Sequence, residues 1–253
     1  MELTIPQLLD GKSTVIKNVE FFPTKMYVEP FLEKMSKFTD NFMVQAITPD
    51  QMSVTKDSKD IVYNRVWIQA VMPESHLVDN HDEVYGLVYG LNAKKPVFKL
   101  YKGGLNRACT NLCVFDPSWL NTQEILPGEV MNFDPLMELI EKENDLRVNL
   151  ERMKNEYLIR EDHRHHLGKW MNYVMTNQDN RSYGKIQIAE SIPSKAYKQL
   201  FLDSEHKYYI PEGINPTKFD VYSAFTDLIS HDKRDILSVA EKTLMLNELI
   251  NVD

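Results

Sequence analysis

Between Asn41 and Phe115 the chain carries one strand-like run after another with no helical period between them. Phe42–Ile47, Ile61–Val71, Val84–Leu91 and Val97–Tyr101 are rich in β-branched and aromatic residues, and a last run covers Ala108–Phe115. Turn formers separate them: Asn92 to Pro96, and Lys102-Gly103-Gly104, read as hairpin turns. Successive strands without crossover helices pair as antiparallel neighbours, because a parallel pair needs a connection of a dozen residues or more. This predicts a meander of four or five strands and excludes a βαβ fold.

Beyond residue 133 the period changes. Asp134 with Pro135 predicts a capped start. Leu136, Leu139, Ile140, Leu146, Leu150, Met153 and Tyr157 then form one stripe at helical spacing. Glu138 with Lys142, and Glu143 with Arg147, stand at i,i+4. One long helix is expected from 135 to about 160, with Gly168 a break if it runs on toward Met175. A short helix is expected at Pro30–Phe38, in an otherwise irregular first fifty residues. After a polar loop at Thr176–Tyr183, helices are expected from Asn215-Pro216, with Phe219, Tyr222, Phe225 and Ile229 on one side, and over Asp235–Ile250. The fold class is therefore α+β: an antiparallel β-meander, a long helix and a C-terminal helical subdomain. The chain divides into an N-terminal extension (1–40), a meander-plus-helix core (41–175) and a mainly helical part (176–253).

Composition excludes several classes. With 43% hydrophobic and 26% charged residues the chain of 253 is neither disordered nor a rod. Two cysteines, Cys109 and Cys113, are too few for a disulfide scaffold or a structural zinc site, and read as reduced thiols. No run approaches the ~20 apolar residues that cross a bilayer. The start, Met1-Glu2-Leu3-Thr4-Ile5-Pro6, is no signal peptide. A cytoplasmic protein without a membrane partner is expected. No G-x-G-x-x-G, phosphate loop or G-x-S-x-G occurs, so no nucleotide cofactor and no catalytic residue are assigned. His163, His165 and His166 follow Glu161-Asp162 and could hold a metal or mark a solvated helix end; no metal site is assigned.

The charge is unevenly spread. The chain has 29 Lys plus Arg against 37 Asp plus Glu, a net −8. Yet Val84 to Phe115 contains no acid and holds Lys94, Lys95, Lys99, Lys102 and Arg107. Alternation along a strand puts Lys99 and Tyr101 on one face, opposite Phe98 and Leu100. Cations beside an aromatic ring suit a single-stranded nucleic acid: the cations neutralise phosphates and the ring stacks on a base. The candidate contacts are Lys94, Lys95, Lys99, Tyr101, Lys102 and Arg107. The competing reading is a solvated strand face with its acids elsewhere. Arg181, Lys185, Lys195 and Lys198 form a second, looser basic series.

Two segments resemble motifs of a known family. Arg107-Ala108-Cys109-Thr110-Asn111 resembles an Arg-x-Cys-x-Asn segment in phage- and plasmid-encoded proteins of unknown function. Lys218-Phe219-Asp220-Val221-Tyr222-Ser223-Ala224-Phe225-Thr226-Asp227 resembles that family's C-terminal motif, with Ser223 where Asn is expected and Asp227 where Glu is expected. The resemblance implies a mobile-element protein working inside the infected cell. The meander-then-helix order is also similar to single-strand annealing proteins of the Rad52 type, which form rings around a basic groove. These likenesses imply a phage-encoded, non-enzymatic protein that binds single-stranded DNA or RNA in recombination, replication or early transcription, as a homo-oligomer. The alternative is an interaction factor that binds a phage or host polymerase, or a host defence protein.

Overall fold

In the computed structural model the described residues are 4–11, 14–16, 19–47, 65–72, 81–91, 97–106, 111–124, 129–142, 145–157, 188–189, 191–231 and 237–251. In chain order they form α1 (Ile5–Leu9), β1 (Thr14–Ile16), β2 (Val19–Phe21), α2 (Lys25–Met35), β3 (Phe42–Ile47), β4 (Arg65–Val71), β5 (His81–Gly90), β6 (Val97–Asn106), β7 (Asn111–Cys113) and β8 (Leu120–Glu124). Then come α3 (Asp134–Glu141), α4 (Leu146–Asn155), α5 (Ser191–Phe201), α6 (Lys218–Ser230) and α7 (Val239–Ile250). The class is α+β, as expected. The main sheet has the order β3-β4-β5-β6-β7, with β8 also on β6.

The chain separates into two compact units that are discontinuous in sequence. Unit 1 comprises Met1–Ser75, Asp82–Lys102 and Ser118–Lys142; unit 2 comprises His76–His81, Gly103–Pro117 and Glu143–Asp253. The reading from sequence divides the chain into consecutive blocks instead.

Unit 1 is the sheet and its cover. Antiparallel register pairs Val44 with Ile68, Trp67 with Val88 and Ile68 with Leu87. Paired residues share a face, so Val66, Ile68 and Ala70 lie with Tyr89, Leu87 and Tyr85 on one side. On that side Tyr27 of α2 packs on Phe98 and Tyr89 at ring separations of 4.9 and 5.5 Å, and Tyr89 stacks on Phe98 at 5.4 Å. The opposite side carries Trp67, Gln69, Gly86 and Val88. There the Trp67 indole N–H donates to the Tyr101 hydroxyl. A Cβ on Gly86 would fall inside the Tyr101 ring, so glycine is what admits the tyrosine. β4 and β5 are buried almost throughout, on both faces.

Several elements differ from the sequence reading. The first fifty residues hold two helices and a hairpin of β1 with β2. The helix expected to begin at Pro30 instead spans Lys25–Met35 with Pro30 inside it, at the loss of one backbone bond. Lys102-Gly103-Gly104 is not a turn but the interior of β6. There Gly103 leaves room for the Cys113 carbonyl, 2.6 Å from where a Cβ would stand, and Gly104 for Leu146, at 2.9 Å. β8 was not foreseen. Its sequence, Leu-Asn-Thr-Gln-Glu, has no strand period of its own, and its pairing from Val97↔Glu124 to Tyr101↔Leu120 is imposed by β6.

The long helix is two. α3 ends where Lys142 turns extended (φ −65°, ψ 138°), and α4 starts after Asp145. The apolar stripe still holds: Leu136, Leu139, Leu146, Leu150 and Met153 are buried. Pro135 lies in the first turn as expected, but Asp134 is helical and does not cap; its N–H donates to the Asn132 side chain. Arg147 pairs with Glu151 at 2.9 Å.

Unit 2 is helical around a short strand. α6 starts at a capping box in which Thr217 and Asp220 satisfy each other's backbone N–H groups. Tyr222, Phe225 and Ile229 are buried, and so are Val221, Ala224 and Thr226, so α6 is enclosed on more than the one side its apolar spacing implies. Phe115 stacks on Tyr222 at 5.4 Å, and the Asn247 amide of α7 donates to the Phe115 carbonyl at 3.0 Å.

Candidate functional site

Strand alternation sets Lys99 and Tyr101 apart from Phe98 and Leu100, as the sequence indicates, but it leaves neither face open. Tyr101 is 0% exposed, Lys102 1% and Lys99 7%. Tyr101 therefore offers no ring face to a base, and burial pushes its hydroxyl well above the usual tyrosine range. This corrects its expected stacking role. Lys99 is engaged within the chain as well. Lys94, Lys95 and Arg107 lie outside the described residues, in the β5–β6 and β6–β7 connections.

Lys102 is the most enclosed cation described, and its surroundings explain how. Its Nζ lies 3.1 Å from a Glu83 carboxylate oxygen and donates to the Lys142 carbonyl at 2.8 Å. The rings of Tyr85 and Trp119 stand 5.7 and 5.8 Å away. The Tyr85 hydroxyl donates to the same Glu83 carboxylate at 2.6 Å. Burial, then Glu83, raises the Tyr85 hydroxyl far above its ordinary range, so the tyrosine stays protonated and remains a donor. In an unbroken helix the Lys142 carbonyl would accept the N–H four residues on. The break after α3 frees it for Lys102. A buried ammonium needs such a set of partners, and with them it has no charge left for a phosphate. Lys102 is thus a packing cation and not a nucleic-acid contact.

A second group of polar side chains gathers in unit 2. It joins the two segments that carry the family resemblance. Asn111, from the first, is 1% exposed, and its amide donates to the Tyr208 hydroxyl at 2.9 Å and to the Ser223 carbonyl of α6 at 3.4 Å. The backbone N–H of Leu112 donates to the Ser230 hydroxyl at 3.1 Å. At the other end, Asp227 accepts from Lys207 at 2.8 Å. His231 lies one turn further on, its Nδ1 2.7 Å from the Asp227 carbonyl and 3.6 Å from the carboxylate. Tyr222, between these points, is fully buried beside Cys113; burial raises its hydroxyl strongly.

Lys207, Tyr208 and His231 were missed by the sequence reading. No motif marks Lys207 and Tyr208, which gain meaning only when the 202–217 connection folds back on α6, whereas His231 meets Asp227 at i,i+4 at the end of α6 itself. Asp227 stands at the wall of a pocket of about 290 Å³ lined also by Ala189, Ser191, Ile192, Lys195, Leu228 and His231. Lys195 and Lys198, of the second basic series, are exposed on α5. Arg181, Lys185, His163, His165, His166 and Cys109 lie outside the described residues. Among the described residues no three His, Cys, Asp or Glu side chains gather as a metal-binding group. No described helix is long and apolar enough to cross a membrane. No known protein family, curated protein or solved structure matches this chain.

Proposed function

We propose that this chain is a non-enzymatic, single-stranded nucleic-acid-binding protein acting in phage DNA recombination, replication or early transcription. The observation that carries the reading is that Lys94, Lys95 and Arg107 fall in the acid-free run from Val84 to Phe115 of a chain of net charge −8. The contacts proposed are Lys94, Lys95 and Arg107, whose charges belong to the strand connections. The buried Lys102 and Tyr101 are left out, so binding rests on phosphate neutralisation without a stacking platform.

Three phosphate contacts give a slope of about −2 in log affinity against log salt for a single strand. Between about 50 and 200 mM salt the affinity should then fall roughly 20-fold. Fluorescence anisotropy with labelled single-stranded DNA, double-stranded DNA and RNA measures this directly. The triple variant Lys94→Glu/Lys95→Glu/Arg107→Glu should lose the binding. Absence of binding at low salt, or unchanged binding by the triple variant, would sink the reading. Stoichiometric recovery of a phage or host polymerase, or of a defence protein, from lysate would then favour the interaction factor.

A further inference from the structure

We propose that unit 2 carries a site for a small oxyanion of the phosphate class, in the pocket lined by Ser191, Lys195, Asp227 and His231, with Lys195 supplying the charge. The pocket's volume of about 290 Å³ stands at the small end of ligand sites, enough for a phosphate group and part of what bears it. Its wall holds one acid and two basic groups, and their partners decide its sign. Asp227 is mostly buried, with 14% of its side chain exposed, and its carboxylate accepts from Lys207 at 2.8 Å. That acid is already neutralised. Lys195, by contrast, is exposed and has no ion-pair or hydrogen-bond partner among the described residues. Among the described residues the uncompensated charge at the pocket is therefore positive.

His231 supplies direction. A carbonyl only accepts, so the 2.7 Å contact with the Asp227 carbonyl puts a proton on Nδ1 and leaves Nε2 for a ligand. A ring that meets an oxyanion does so by donating from Nε2–H. The Ser191 hydroxyl lines the same space and is a neutral donor. A lysine ammonium that can only donate, beside a serine hydroxyl and a ring nitrogen, suits an anion. A metal ion would find here a carboxylate already held and a lysine opposed to it.

The inference stands apart from the nucleic-acid reading, since it uses none of Lys94, Lys95 or Arg107. The test is titration of the full chain with inorganic phosphate, followed by calorimetry and by the His231 ring signals in NMR. Saturable binding is expected in the wild type. Lys195→Ala, on an exposed helix position, should weaken it roughly tenfold or more, the effect of losing one charge-assisted bond. Lys198→Ala, on the same helix but off the pocket, should bind as the wild type does. The Lys94→Glu/Lys95→Glu/Arg107→Glu variant should also bind phosphate normally, which separates this site from the other proposal. Competition then identifies the source. Displacement by nucleoside monophosphates or sugar phosphates points to a free monoester, and displacement by an unphosphorylated single-stranded oligonucleotide points to a backbone phosphate. A linear, unsaturable response, the same response to chloride at equal ionic strength, or wild-type affinity in Lys195→Ala would overturn the proposal.

Discussion

In unit 1 the ammonium of Lys102 lies against a carboxylate, a carbonyl and two aromatic faces, with 1% of the residue exposed. In unit 2 Lys195 stands in solvent beside a pocket whose acid is already paired with Lys207. A count of charges along the chain weighs these two lysines equally, and even favours Lys102, which falls in the acid-free run. The difference teaches where to look for a binding cation. The acid that holds Lys102 is Glu83, one residue before the acid-free run begins, on the neighbouring strand. A gap in acids along the sequence is not a gap in space.

That contrast can be broken. The largest effect should come from Lys102→Met, which removes the ammonium from the Glu83 carboxylate and the Lys142 carbonyl and leaves the carboxylate's charge uncompensated by it. Unpairing a buried ion costs about 3–5 kcal/mol, read as a fall in the denaturant midpoint. A Lys102→Met/Glu83→Gln double variant should lose less than the two single losses added together. If Lys102→Met unfolds at the wild-type midpoint, the lysine is not a packing cation and the contrast between the units disappears.

A middle effect is expected on the other face of the same sheet. Gly86→Ala drives a methyl into the Tyr101 ring, an overpacking that costs roughly 1–3 kcal/mol. Trimming the ring in Gly86→Ala/Tyr101→Leu should recover part of it. Full additivity of the two changes would show that the glycine is not there to admit the tyrosine. The smallest effect should be that of Lys195→Ala on stability, within about 0.5 kcal/mol of zero. A loss as large as that of Lys102→Met would mean that Lys195 too is a structural cation, and would remove the separation between stability and ligand binding on which the pocket proposal depends.

The periodicities were legible because they are local. Strand runs of β-branched and aromatic residues became β3, β4, β5 and the first half of β6, and the stripe from Leu136 to Met153 became the buried sides of α3 and α4. The errors were of a different kind. Gly103-Gly104 carries a turn signal, yet these glycines are used for close approach by Cys113 and Leu146. β8 has no signal, because its partner strand supplies the order. The break at Lys142 is equally silent, and the carbonyl it frees is taken up by a lysine forty residues away. Asn111 and Asp227 belong to the two segments that carry the family resemblance, but the sequence reading gives neither a site role. Lys207, Tyr208 and His231, which connect to them, belong to neither segment.

What the sequence determined by itself is the class of the fold, the central strand runs and the apolar stripe of α3 and α4. Those follow from backbone geometry, in which a period of two or of 3.6 residues sorts side chains onto faces. Which charges remain available was decided only by the tertiary structure. Strand alternation says that Lys99 and Tyr101 share a face, but not whether that face meets solvent, and here β6 is buried on both faces. The sign of a pocket likewise depends on which of its charges already have partners, and partners from 20 to 118 residues away, as for Lys207 with Asp227 and Leu112 with Ser230, are brought together only by folding.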